Sequence, residues 1–159
     1  MIQEFNAPDR IMVGTRGAVG ARLFLFQVRE GRRLLIIKFE KLQLAAIADW
    51  IGTAIKEFTR PGHLPDDFSL EPEYSPDFDA GDVTLAIDPE NEVMLLTIES
   101  SEEDDSVTIT LTKEMAGGLA IAIARLVEAG RPPCPLCALP LDPRGHDCPR
   151  TNGYRPPIR

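Results

Sequence analysis

Two stretches of this chain run through one order of residue types, and that recurrence restricts the fold more than anything else. "IIKFEKLQLAAIADWI", residues 36–51, passes from a β-rich run through a lysine into a helical pattern. "TITLTKEMAGGLAIAI", residues 108–123, makes the same passage. Few side chains match, so the repeat is one of pattern rather than identity. Around each copy the same elements recur. "RIMVGTR", "ARLFLFQVRE" and "RRLLIIKFE" are strands separated by glycine-containing turns. In "KLQLAAIADWIGTAIKEF", residues 41–58, Leu42, Leu44, Ala45, Ile47, Ala48, Ile51, Ile55 and Phe58 recur at helical spacing, and Pro61-Gly62 closes that helix. Later, "DVTLAIDP" and "EVMLLTIES" flank "PEN", and "SVTITLT" follows the acidic turn "SEEDD". "KEMAGGLAIAIARLVEAG" is then a helix ended by Gly130 and Pro132-Pro133.

The expected fold class is therefore α+β. Two tandem βββα units form an antiparallel-rich sheet, or two packed sheets, covered by two helices. The body occupies residues 1–130, with halves at about 1–60 and 80–130, and residues 131–159 form a tail. An acidic connecting loop, 61–80, joins the halves; residues 66–82 hold seven acids, and Phe68, Leu70, Tyr74 and Phe78 suggest that it is pinned to the body. His63 reads as a surface residue without catalytic duty. Gly117-Gly118 inside the second helix costs about 1 kcal/mol per glycine relative to alanine. Together with Ala116, Ala120, Ala122 and Ala124 it makes a narrow face. That face suits close packing against the sheet or the first helix, or a homodimer contact.

Length and charge narrow the function classes. A chain of 159 residues fits one domain with a small appendage. No apolar run approaches the roughly 20 residues of a membrane span, and the start shows no secretory signal, so a cytoplasmic protein is expected. Residues 131–159 hold five arginines against Asp142 and Asp147, a formal +3, which leaves −11 of the net −8 on residues 1–130. An acidic body repels phosphate backbones, which argues against nucleic acid as a partner.

All three cysteines fall within fifteen positions of the tail, "CPLCALPLDPRGHDC". Cys134 and Cys137 are spaced C-x2-C; His146 and Cys148 follow as H-x-C. Four such ligands on a short, turn-rich segment fit tetrahedral zinc. A segment this small buries too little apolar surface to hold a shape alone, so metal would supply its folding energy. A Cys134–Cys137 redox pair would open a helix, which Pro135 and Pro140 oppose. Inert buried thiols would leave the histidine and the clustering unexplained. With four protein ligands no coordination position stays open, so the zinc would be structural.

"PDRIMVGTRG", "FEKLQLA" and above all "GRPPCPLCALPLDPRGHDCPRTNGYR" resemble an actinobacterial-type family known only as a domain of unknown function. The resemblance spans essentially the whole chain. It implies an intracellular bacterial protein with a zinc-ribbon-like tail and no established activity. Family members are typically encoded beside a histidine-phosphatase-like and a lipid-kinase-like protein, which points toward phosphate metabolism. The family tail tends to carry glycine after the second cysteine, where this chain has Ala138. Alanine strains a turn whose amides face the sulfurs.

No nucleophile signature such as G-x-S-x-G is present, and the acids of residues 102–105 read as a solvated hairpin tip. The strongest enzymatic candidate is "PDRIMVGTRGAVGAR", where Gly14, Gly17 and Gly20 with Arg10, Arg16 and Arg22 could cradle a phosphate. No helix N-terminus follows to add its dipole, and a glycine-bearing β-hairpin explains the same residues. The leading expectation is a non-catalytic, zinc-stabilised binding or adaptor protein. Its partner would be another protein, a phosphate-metabolism enzyme among the candidates. The alternative is an enzyme or regulator handling a phosphorylated small molecule at loop 8–22.

Overall fold

Alternation builds most of the strands. In Ser106–Thr112, Val107, Ile109 and Leu111 are buried while the serine and threonines between them are not, the period-two pattern of a half-buried strand. The computed structural model describes residues 2–18, 20–60, 62–65 and 67–128. Its strands are β1 Ile2–Phe5, β2 Arg10–Arg16, β3 Leu23–Glu30, β4 Arg33–Phe39, β5 Phe78–Asp88, β6 Val93–Ser100 and β7 Ser106–Thr112. The helices are α1 Lys41–Ala54, extended by a 3-10 turn at Ile55–Glu57, and α2 Lys113–Glu128. The fold is α+β, with one seven-stranded mixed sheet and two helices.

The sheet order is β1-β7-β6-β5-β4-β3-β2. Two pairings are parallel, β1 with β7 and β4 with β5; the others are antiparallel. β5 serves two neighbours. Phe78 and Asp79 pair with β4, then the register shifts between Ala80 and Val83 and the remainder pairs with β6. Gly81 sits at that irregularity, where a Cβ would stand 2.9 Å from the Ser101 Cα.

The two ends of this order are consecutive in the chain. A flat sheet of seven strands would hold its end strands about 29 Å apart, yet the chain from Phe5 to Arg10 can span at most about 18 Å. The sheet must therefore coil toward closure. Side chains agree: Arg33 on β4 donates to the Glu4 carbonyl at 2.8 Å and lies 4.1 Å over the Phe5 ring. The coiled sheet and both helices enclose one core. Phe5, Phe26, Phe39, Leu96 and Ile109 meet Leu44, Ile47 and Ile51 from α1 and Leu119 and Ile123 from α2.

Four details depart from the sequence reading. β1 was not expected, because four residues with two polar ones carry no pattern; its parallel pairing with β7 makes it a strand. β5 begins at Phe78 rather than at Asp82, since its first residues pair with β4. α1 gives way to the 3-10 turn at Ile55, and Phe58 is already extended. Leu42, placed on the apolar face by its spacing, is 83% exposed.

Candidate functional site

The acidic connecting segment lies along β2. The Val13 N–H donates to the Phe68 carbonyl at 3.0 Å, so an extended segment borders an edge strand through main-chain bonding. Leu64, Pro65 and Phe68 pack on α2. A Cβ on Gly118 would stand 2.8 Å from the Phe68 ring, and one on Gly117 would stand 3.2 Å from Ile55 and Leu64. The glycine pair thus admits the connecting segment and the end of α1. Gly14 does the same on β2, where a Cβ would come within 2.8 Å of Leu70. Tyr74 is exposed, as is His63.

The centre of this attachment is a polar clasp. Gln27, fully buried in an otherwise apolar strand, accepts the Glu71 N–H at 2.7 Å and donates to the Glu73 carbonyl at 2.6 Å. Arg29 grips the Glu71 carboxylate with two bonds of 2.5 and 2.6 Å. That hydrogen bonding, chiefly from Arg29, holds the Glu71 carboxyl below its ordinary range. Sequence reasoning missed this clasp. Its one signal was a glutamine inside "LFLFQV".

The arginines and glycines of loop 8–22 can now be placed. Arg10 donates to the Ser69 carbonyl at 3.2 Å and meets the Asp67 carboxylate at 3.4 Å. Arg16 donates to the Glu71 carbonyl at 3.0 Å. Both therefore face the connecting segment, while Arg22 is exposed beyond the end of the β2–β3 ladder. Gly17 and Gly20 have φ of +103° and +91°, values that glycine adopts without strain.

A second clasp joins the two halves. Glu92, itself at φ +54°, accepts from the Thr59 hydroxyl at 2.7 Å, the Thr59 N–H at 2.8 Å and Lys113 Nζ at 2.9 Å. Thr59 and then Lys113 lower its pKa from the ordinary 4.5 to about 2. A carboxylate with a depressed folded pKa stabilises above its unfolded value, and that contribution is lost as pH falls through the folded one. Glu92→Gln should therefore lower the melting temperature at neutral pH. The gap from wild type should stay constant down to about pH 5, then close toward pH 2. Melting curves across that range check it; a gap that ignores pH would remove the charge from the explanation.

Two grooves separate a helix from a sheet edge. One, of about 670 Å³, lies between α2 and β2; Val13, Gly118, Ala122, Arg125 and Leu126 line it together with Leu64, Pro65 and Phe68 of the connecting segment. The other, of about 490 Å³, lies between α1 and β5 and is lined by Trp50, Thr53, Ala54, Val83, Leu85 and Ile87 among others. Trp50 is 43% exposed there. From Val83 onward β5 has a strand neighbour only on the β6 side among the described residues, so its other edge faces this groove unpaired.

Among the described residues no group of three or more histidines, cysteines, aspartates or glutamates is placed to hold a metal ion. Cys134, Cys137, His146 and Cys148 lie outside the described residues. No described helix is long and apolar enough to cross a membrane.

Fold and grooves together define an α+β protein with two helix-flanked sheet edges, one of which holds an extended segment of its own chain. The chain belongs to the family described as protein of unknown function (DUF3090), whose family model matches residues 3–148. The match runs from β1 to the last of the four candidate metal ligands. No curated protein and no solved structure matches the chain.

Proposed function

We propose that this chain is a non-catalytic, zinc-stabilised binding or adaptor protein of the bacterial cytoplasm, with another protein as its partner. Its body is a duplicated βββα unit, and Cys134, Cys137, His146 and Cys148 hold one structural zinc in its tail. The duplication is supported by positions that correspond at a near-constant shift. Ile37, Phe39 and Lys41 answer to Ile109, Leu111 and Lys113, 72 residues on, while Phe26 and Val28 answer to Leu96 and Ile98, 70 residues on. Each of these apolar residues is buried. β1 then plays against β7 the part that the start of β5 plays against β4, both pairings being parallel.

The observation that carries the binding reading is the character of the two grooves. Their linings are largely apolar and each borders a sheet edge, which is how extended chain segments are held. Glu71 and Glu92, by contrast, spend their charge in clasps to Arg29 and to Thr59 and Lys113. The zinc reading rests on ligand type and spacing. The phosphate alternative keeps only Arg22 turned outward beside two glycine turns.

The test is isolation of the chain from its native host at its natural level. One partner protein should co-purify at a constant ratio, and the purified chain's melting temperature should stay flat in phosphate, nucleotides and sugar phosphates. A ligand filling a site at 100 times its dissociation constant adds about 2.7 kcal/mol. A chain that elutes alone and melts several degrees higher in one of these ligands would replace the binding reading with the phosphate one.

A further inference from the structure

We infer that residues 131–143 of this chain lie in the groove between α1 and the open edge of β5, as residues 60–72 lie along β2. The inference rests on the duplicated body proposed above and names the occupant of its second groove in the free chain, the segment that a partner's segment would displace.

The two grooves correspond at four lining positions. Trp50, Thr53 and Ala54 line one; Ala122, Arg125 and Leu126, each 72 residues later, line the other. Leu85 in the first answers at the same shift to Val13 in the second. Gly14, Gly117 and Gly118, which admit the connecting segment, answer to Ala86, Ala45 and Ala46, so a second occupant must leave room for three Cβ atoms, and Leu139 is smaller than Phe68. One groove is built around an occupant. The other has its edge strand open and its tryptophan 43% exposed.

The chain supplies a second copy of that occupant at the matching place. The segment after α1 reads "RPGHLPDDFSLEP", residues 60–72; the segment after α2 reads "RPPCPLCALPLDP", residues 131–143. They align without a gap. Arg60-Pro61 matches Arg131-Pro132, Leu70 matches Leu141 and Pro72 matches Pro143. Phe68, which sits on α2, falls opposite the apolar Leu139, and Glu71 falls opposite Asp142.

The charge of the open edge is inverted. The occupied edge presents Arg10, Arg16 and Arg29 to a segment carrying Asp67 and Glu71. The corresponding positions on β5 and β6 are Asp82, Asp88 and Glu99, so every sign is reversed. Arg10 pairs with Arg29, whereas Asp82 lies in the register irregularity between the Ala80–Ser100 and Val83–Ile98 pairs. The docked run itself is neutral, with Asp142 at the Glu71 position, and the +3 of the tail lies in residues 144–159 that follow it. By the template, Leu139 takes the place of Phe68 in the groove beside Trp50, Leu141 that of Leu70 beside the edge strand, and the Leu85 N–H that of the Val13 N–H. Cys134 and Cys137 fall inside the docked run, so docking anchors the proposed zinc site on the acidic body.

Trp50 is the chain's single tryptophan, so its fluorescence reads the groove directly. In the full-length protein its emission should be blue-shifted and shielded from acrylamide. The double variant Leu139→Asp/Leu141→Asp should shift it to the red and raise quenching, with far-UV circular dichroism unchanged. Leu85 amide exchange in the variant should be on the order of ten-fold faster or more. A photo-crosslinker at Thr53 should capture residues 131–143 of the same molecule. Identical quenching in wild type and variant, or an adduct on another polypeptide, overturns the docking. A chelator arm separates the two proposals. If the variant exposes Trp50 and zinc is absent, docking stands without the metal site; if zinc is present but the variant changes nothing, the metal site stands and docking fails.

Discussion

Gln27→Leu should destabilise the protein by about 2–4 kcal/mol, because it leaves the Glu71 N–H and the Glu73 carbonyl without their partner in a largely dry place. The side chain is fully buried and its two strong bonds both reach the connecting segment. At this chain length that corresponds to a fall in melting temperature of roughly 6–12 °C. Loss of the clasp should also free the segment before the sheet melts. Hydrogen exchange at Val13, whose N–H is bonded to Phe68, should therefore rise more than exchange within the β6–β7 ladder. A melting temperature within a degree or two of wild type would mean that water replaces the glutamine without loss.

Gly118→Val should cost about 1–3 kcal/mol despite a gain in helix propensity, because the new side chain overpacks a filled site. Its Cβ would meet the Phe68 ring at 2.8 Å and the Pro65 carbonyl at 3.2 Å. Gly117→Ala is the contrast. Its neighbours at 3.2 Å are the tips of Ile55 and Leu64, which can move, so the propensity gain of about 1 kcal/mol should leave stability near or above wild type. A thermodynamic cycle with Phe68→Ala isolates the clash. In that background the valine should cost measurably less. Equal costs in both backgrounds would place the strain elsewhere on α2.

The strands that sequence reasoning placed well are those whose information is local. β2 and β7 were read at their observed bounds, Arg10–Arg16 and Ser106–Thr112, because alternating or β-branched residues end abruptly at turn residues or at a lysine. β1 and the start of β5 were illegible for the opposite reason. Ile2–Phe5 and Phe78–Asp79 become strands through parallel pairing with β7 and β4, and nothing within those short runs encodes the partner. The clasp was hidden by distance: Gln27 and Glu71 are 44 residues apart, and a lone glutamine in a strand does not say what it will bond. In loop 8–22 the residue types were visible but not their orientation. Arg10 and Arg16 turn toward the connecting segment because its carbonyls and Asp67 lie beside β2. The four ligand positions of the tail stood out by chemistry and spacing alone.

That tail carries the proposed role, so its metal content is the measurement that matters most. Protein purified without added metal should contain one zinc per chain by elemental analysis, with sulfur as the internal count. Because protons compete with the metal for thiolate and imidazole, zinc should leave as the pH is lowered. Serine in place of Cys134 and Cys148 together should abolish retention while the body, residues 2–128, keeps its cooperative melt. Less than about a tenth of an equivalent of zinc, with all three cysteine thiols reacting freely, would contradict a metal-held tail.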